Sequence, residues 1–316
     1  MNADAAGGAE PARWVLAGAS GFLGQALLRS LRADGVPVRQ LARSEPTEPH
    51  QVRWDPAHRR LDPEVLAGAA VVVNLAGVPV QRRWTRANRT AIVASRVHST
   101  GTLAHALAEL PAGSPRPVFL AQSATGFYPK NVRPPRRLTE ADARPGRGFL
   151  GEAVAAWEAA TVPAERAGVR VCRLRTGVVL DRSGGALPQL SLPFRLGVGI
   201  PLGSGRQHMP LIGLADWLAA VRFAAGQPNL SGPVNLTLPE PVTNRQFTDV
   251  LAGLLRRRWL ARLPVQVPAP LLRLALDGFA SELLDDVDVA PAALAGAGFR
   301  FGQPSLAQTL EAALRG

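Results

Sequence analysis

The chain holds one cysteine, one tyrosine and one lysine, and each scarcity removes a class of chemistry. A lone thiol, Cys172, can neither close an intramolecular disulfide nor build a thiolate metal centre. It lies in the alternating run Val169-Arg-Val-Cys-Arg-Leu and reads as a core thiol in a strand, not a nucleophile. Aromatic residues are 5% of the chain and form no series on which nucleic-acid bases would stack. The five histidines, at 50, 58, 98, 105 and 208, show neither metal-ligand spacing nor the arrangement of a triad, so no metal is expected. No apolar run is long enough to span a bilayer, because the best stretch, Val65–Val80, is broken by Asn74. Residues 1–12 are rich in Ala and Gly and lack the basic and apolar regions of a signal peptide. They read as a disordered tail, and the cytoplasm is the expected location.

What is abundant is arginine. Of 36 basic residues one is Lys130 and the rest are arginine, against 24 acidic residues, for a net charge of +12. Such a balance can mark a nucleic-acid binder. Here the arginines are dispersed, with short clusters only at 133–137 and 256–258, so nucleic acid is not the expected partner. A hydrophobic share of 47% over 316 residues is enough for a large core.

Elements alternate through the first half. Strands are expected at Trp14–Ala17, Val36–Leu41, Gln51–Trp54, Ala70–Leu75, Pro117–Ser123 and Val169–Leu174. Helices are expected at Phe22–Ala33, Leu61–Leu66, Thr85–Leu110 and Gly148–Arg166. Residues 181–212 are rich in Gly and Pro and carry few helical signals. Helix returns at Ala215–Ala225, a strand at Val234–Thr237, a helix capped by Thr243 or Asn244, and a largely helical tail over Pro268–Leu314. This order predicts an α/β protein: a Rossmann-type doubly wound parallel sheet over 13–180, with 214–240 returning to it. Residues 181–213 and 241–316 would form a smaller C-terminal α/β substrate lobe.

Between the first strand and helix stands Gly18-x-x-Gly21-x-x-Gly24. Gly18 permits the tight turn, Gly21 the close approach of a pyrophosphate, and Gly24 the packing of helix on strand. The amides around Ser20, Gly21, Phe22 and Leu23 would then meet the phosphates at the positive end of the helix. At the end of the second strand the residues are Arg43 and Ser44, with no acid before Glu45. An acid there would take a ribose 2′-hydroxyl, whereas a cation suits a 2′-phosphate, so NADP(H) is the expected cofactor. Leu75, Ala76 and Gly77 close the fourth strand, where glycine lets the backbone run beside the adenosine half.

Several blocks resemble the extended short-chain dehydrogenase/reductases known as NAD-dependent epimerase/dehydratases. They are Val73-Asn-Leu-Ala-Gly, Arg82-Arg-Trp-Thr, Ser95-Arg-Val, Gly148-Arg-Gly-Phe-Leu-Gly-Glu, Trp157-Glu-Ala-Ala, Thr176-Gly-Val-Val-Leu, Gly203-Ser-Gly-Arg-Gln, Ser231-Gly-Pro-Val-Asn, Pro241-Val-Thr-Asn and Ala297-Gly-Phe-Arg-Phe. Together they are most similar to a divergent epimerase-like subgroup that includes giant-chloroplast and cell-division-inhibitor-like homologues. The resemblance implies NADP(H) binding, a cofactor contact at Arg96, Val179 near the nicotinamide, and a DUF1731-like C-terminal domain. Many relatives pair helices into homodimers. The sequence departs from the subgroup at His208, where Trp is common, and at Gly213, where His is common.

Catalytic relatives use Tyr-x-x-x-Lys, with a Ser or Thr at the end of the fifth strand. Ser123 fits that Ser, but the tyrosine position falls on Phe149 or Leu150 and the lysine position on Ala153 or Val154. Tyr128, with Lys130 and the Arg133–Arg137 cluster nearby, is a candidate substitute acid; the alternative is that it only lines the site. Two functions stay open. One is an oxidoreductase or epimerase acting on a hydroxyl or carbonyl substrate, a nucleotide sugar among the options, with Ser123 and Tyr128 at the reacting oxygen. The other is a non-catalytic, NADPH-bound sensor or scaffold.

Overall fold

The computed structural model describes residues 13–80, 83–111, 113–196, 199–255 and 284–315. The tail over 1–12, Arg82, the arginines at 256–258 and the first part of the expected C-terminal helical stretch lie outside the described residues.

Ten strands are described: β1 (Trp14–Ala17), β2 (Val38–Ala42), β3 (Gln51–Arg53), β4 (Val71–Asn74), β5 (Val118–Ala124), β6 (Val171–Thr176), β7 (Val178–Asp181), β8 (Gly184–Gly185), β9 (Leu211–Gly213) and β10 (Gly232–Leu236). Seven form one parallel sheet in the order β10-β6-β5-β4-β1-β2-β3. The chain winds outward from β1 to β3, then returns to the other side of β1 with β4. That reversal opens a crevice at the carboxyl ends of β1 and β4, where ligands bind in such sheets.

The sequence pattern explains the layering. β1 and β4 are apolar at nearly every position and buried on both faces. On one face α1 (Phe22–Ala33) and α6 (Leu214–Gly226) set Leu27, Leu31, Trp217 and Val221 against Leu16, Leu120 and Leu174. On the other, α2 (Arg86–Ala108) and α4 (Val162–Arg166) set Leu103, Leu107 and Ala164 against Val15, Val72 and Phe119. A second, smaller sheet in the order β8-β7-β9 packs with α5 (Leu187–Arg195), α7 (Asn244–Leu254) and α9 (Leu306–Arg315) around Leu180, Phe194, Phe247, Leu251 and Leu310. A short α8 (Ala292–Gly296) lies against β10.

Several elements differ from the sequence pattern, and β7, β8 and β9 form where no strand is expected. The helix expected at Leu61–Leu66 is a single 3-10 turn, Pro63–Val65, capped by Asp62. The helix expected over Gly148–Arg166 divides into α3 (Phe149–Ala159) and α4. Thr161 turns its hydroxyl onto the Glu158 carbonyl, and Pro163 has no N–H to carry the ladder onward. α5 forms where few helical signals stand. Pro188 occupies its first turn, where a missing N–H costs nothing, and Leu187, Ser191 and Phe194 bury one face.

Asp216, on α6, accepts from the amides of Gly302 at 2.7 Å and Gln303 at 3.0 Å and so fixes the approach to α9. No helix among the described residues is long and apolar enough to cross a membrane.

Candidate functional site: a dinucleotide crevice

The crevice begins at Gly18, whose φ of +85° is left-handed backbone. A Cβ there would stand 2.6 Å from the Ala76 amide nitrogen, so the two loops touch through bare backbone. A Cβ on Gly24 would overlap the Gly18 carbonyl oxygen, whereas one on Gly21 would meet only that oxygen, at 3.5 Å. α1 starts from Gly21 with no side-chain cap and no acid in its first turn. Its first amides therefore lack partners within the helix and present partial positive charge at an open edge. A close backbone approach, free amides and no competing carboxylate fit a pyrophosphate. Ser20 and Gly21 are exposed; Phe22 and Leu23 are half-buried. The Phe22 ring packs under β8, where a Cβ on Gly185 would lie 3.0 Å from it.

The facing loop, Leu75-Ala76-Gly77, is held by polar groups reaching from α2. Buried Asn74 accepts from Ala76 N at 3.0 Å and donates to Thr100 Oγ1 at 2.9 Å and Ser99 Oγ at 3.2 Å. Ser99 Oγ donates to the Ala76 carbonyl, and Ser95 Oγ accepts from Val78 N at 3.1 Å. Arg96 lies beneath Gly77, donates to Val78 O at 2.9 Å and to Ile92 O at 3.1 Å, and stands over the Trp157 ring at 5.0 Å. Burial lowers its pKa to about 10, so it remains a cation at neutral pH. The structure thus places Arg96 as a strut of the loop. The signal for this clasp is a single Asn inside the apolar run 70–75, too weak to assign partners on α2.

At the end of β2, Arg43 and Ser44 are exposed. Arg43 makes no hydrogen bond or ion pair with a described residue, while Glu45 is bound by Arg53. The net local charge offered to a ligand is positive. Val179 lies in β7, whose first amide, Val178 N, bonds to Pro210 O at 2.7 Å.

Ser123 and Tyr128 are brought into one buried network. Ser123 Oγ donates to Glu158 Oε1 at 2.6 Å. Glu158 is held by both arms of Arg175, Nε to Oε1 at 2.8 Å and Nη2 to Oε2 at 2.9 Å. The Arg175 guanidinium stands 3.6 Å over the Phe127 ring and 4.9 Å from the Tyr128 ring. Tyr128 Oη donates to Asn235 Oδ1 at 2.8 Å. Asn235 is fully buried, donates its backbone N–H to Glu140 Oε1 and its side-chain Nδ2 to Ala290 O. Sequence reading singled out Ser123 and Tyr128; the Glu158–Arg175 pair between them it did not, because their contact spans α3 and β6.

Burial raises the Tyr128 pKa to about 12, against the opposing pull of Arg175 and of the bond to Asn235. Since it is the only tyrosine, a spectrophotometric titration reads it alone. Native protein is expected to form no tyrosinate until well above the ordinary value near 10, at which the urea-unfolded chain titrates. The folded pKa is the raised one, so this group's contribution is full below about pH 10 and lost as pH rises towards 12. Titration near 10 in the native protein would show an accessible phenol.

The positions of the absent acid–base pair are packed with apolar groups. Phe149 meets Trp84 edge-on at 5.1 Å, and the Arg89 guanidinium covers it at 5.1 Å. Leu150 and Val154 lie against Gly126. Glu152 is exposed, as are His98 and His105. Among the described residues no group of three or more His, Cys, Asp or Glu is placed to hold a metal. Beyond the crevice, a cavity of about 290 Å³ is lined by residues including Arg136, Arg137, His208, Asp286 and Asp288. Its His208 Nδ1 and Asp286 Oδ1 lie 2.8 Å apart, and Arg137 Nε donates to Asp288 at 3.0 Å.

A seven-stranded parallel sheet with a glycine turn at its switch point is the Rossmann-type fold of the short-chain dehydrogenase/reductases. The chain matches the NAD dependent epimerase/dehydratase family over residues 14–236 and belongs to it. Residues 267–313 match a domain of unknown function, DUF1731. An epimerase family protein of Mycobacterium tuberculosis is 39% identical over 298 residues, 94% of this chain and 95% of its own. The human epimerase family protein SDR39U1 (isoform 2), crystallised with NADPH, is 28% identical with a TM-score of 0.84, over 96% of this chain and 99% of its own. A nucleoside-diphosphate sugar epimerase from Corynebacterium glutamicum is 33% identical with a TM-score of 0.75, over 95% of this chain and 58% of its own.

Proposed function

We propose that this protein binds NADP(H) in the crevice and exchanges hydride with a hydroxyl or carbonyl substrate, the hydroxyl proton passing to or from water. The observation that carries the cofactor choice is Arg43, an exposed cation without a partner among the described residues, while the one nearby acid is taken by Arg53. A guanidinium at that place suits a 2′-phosphate. The glycine cradle and the uncapped start of α1 suit the pyrophosphate. The NADPH bound to the human relative agrees with the reading.

When bound, the dinucleotide supplies the hydride. The chain's own part is to hold the pyrophosphate on α1 and to keep the Leu75–Gly77 loop in place through Asn74, Ser95, Arg96 and Ser99. Tyr128 and Ser123 serve in this reading as supports of the crevice wall, since both hydroxyls are committed to internal partners. That commitment also favours the second reading, a cofactor-bound sensor or scaffold.

Titration of NADPH and NADH into wild type and Arg43→Ala, followed by tryptophan fluorescence, tests the assignment. Wild type is expected to prefer NADPH, and Arg43→Ala to lose about 10- to 100-fold in NADPH affinity with little change for NADH. Equal affinities in wild type would remove the role of Arg43. Substrate-dependent NADPH oxidation then separates the enzyme from the sensor.

A further inference from the structure

We infer that Gln122 holds the nicotinamide-riboside half of the bound dinucleotide through its side-chain oxygen. This rests on the NADP(H) reading above.

The last residue of β1, Ala17, pairs with Asn74, the last of β4, and Asn74 pairs with Ala121. β5 runs on for three more residues, paired on its other side with β6 as far as Ala124 and Thr176. Gln122 is therefore the first residue beyond the level at which the glycine turn and the Leu75 loop begin. On the β4 side it has no strand neighbour. The period-two alternation of a strand puts its side chain on the face of Leu120, the face to which Ala19, Phe22, Leu75 and Val179 belong. That is the face of α1, whose free amides suit the pyrophosphate.

The side chain itself is incomplete. Gln122 Nε2 donates to the carbonyl oxygen of Ser123 at 3.0 Å, while Oε1 is buried and has no hydrogen-bond partner. Turning the amide over would set Oε1 against that carbonyl oxygen, so the orientation is determined. A buried acceptor without a donor is rare and calls for a reason.

With the adenosine half at Arg43 on β2 and the pyrophosphate at α1, the remaining half runs across the ends of β4 and β5. It carries donors of the required kind: two ribose hydroxyls and a carboxamide NH₂. No lysine is available for that ribose, since 153 and 154 are Ala and Val.

The test compares NADPH with adenosine 2′,5′-bisphosphate, which lacks the nicotinamide riboside, on wild type, Gln122→Leu and Gln122→Met. NADPH affinity is expected to fall about three- to tenfold in both variants, with the bisphosphate unchanged. The unliganded melting temperature should hold or rise, because the substitution removes an unsatisfied acceptor. Equal weakening of both ligands with a lower melting temperature would make Gln122 merely structural and overturn the inference. So would unchanged NADPH affinity. Failure of wild type to bind either ligand would instead remove the cofactor reading on which the inference stands.

Discussion

Arg175→Leu is expected to lower the free energy of unfolding by about 3–5 kcal/mol, the largest effect of any single substitution described here. Arg175 is 3% exposed and Glu158 7%, so neither charge is hydrated. Each is tolerated because the other is present in bidentate geometry, with Ser123 donating a third bond to the carboxylate. Removing the guanidinium leaves a buried carboxylate with one side-chain hydrogen bond, to Ser123, and only Arg173 at 4.0 Å as a facing cation. It also uncovers the Phe127 ring, on which the cation rests at 3.6 Å. The double variant Arg175→Leu/Glu158→Leu is expected to regain much of the loss, since no charge is then stranded. Urea unfolding of the wild type, both single variants and the double variant closes the cycle. Additive single effects would mean that the pair does not act as a unit.

Gly24→Val and Gly21→Ala should separate packing from ligand approach. At Gly24 the first side-chain atom would already overlap the Gly18 carbonyl oxygen. Backbone cannot rotate away as a side chain can, so α1 must lift from β1. The expected cost is about 3 kcal/mol in stability, with NADPH affinity reduced beyond measurement. At Gly21 the added methyl meets one oxygen at ordinary van der Waals distance, 3.5 Å. Unliganded stability should hold, while NADPH weakens because the methyl occupies the space a phosphate would take. Calorimetric melting and fluorescence titration of the two variants check this. Equal melting temperatures for both would contradict the close approach at Gly24.

Much of the frame was legible beforehand. β1 and β4 announced themselves as continuous apolar runs, and the glycine triplet between β1 and α1 announced the turn. Thr243 and Asn244 were both legible as caps; Thr243 takes the place and forms a capping box with Gln246. α5 was not legible, because its two prolines hide a buried face of Leu187, Ser191 and Phe194 that matters only once β7 and α7 are there to cover it. The break between α3 and α4 was hidden in a similar way by a run of alanines.

The sequence by itself determined the alternation of elements, the glycine turn and the absence of a Tyr-x-x-x-Lys pair. These are local properties of spacing and residue type, and no packing could alter them. Tertiary structure alone decided what the isolated polar residues do. Glu158 and Arg175 are 17 positions apart, and Tyr128 and Asn235 are 107 apart. Nothing in either neighbourhood names the other. Partnership there follows from strand order, which sets β10, β6 and β5 side by side and aims their side chains at one buried volume. The same register, not the composition of β5, leaves Gln122 Oε1 without a donor among the described residues.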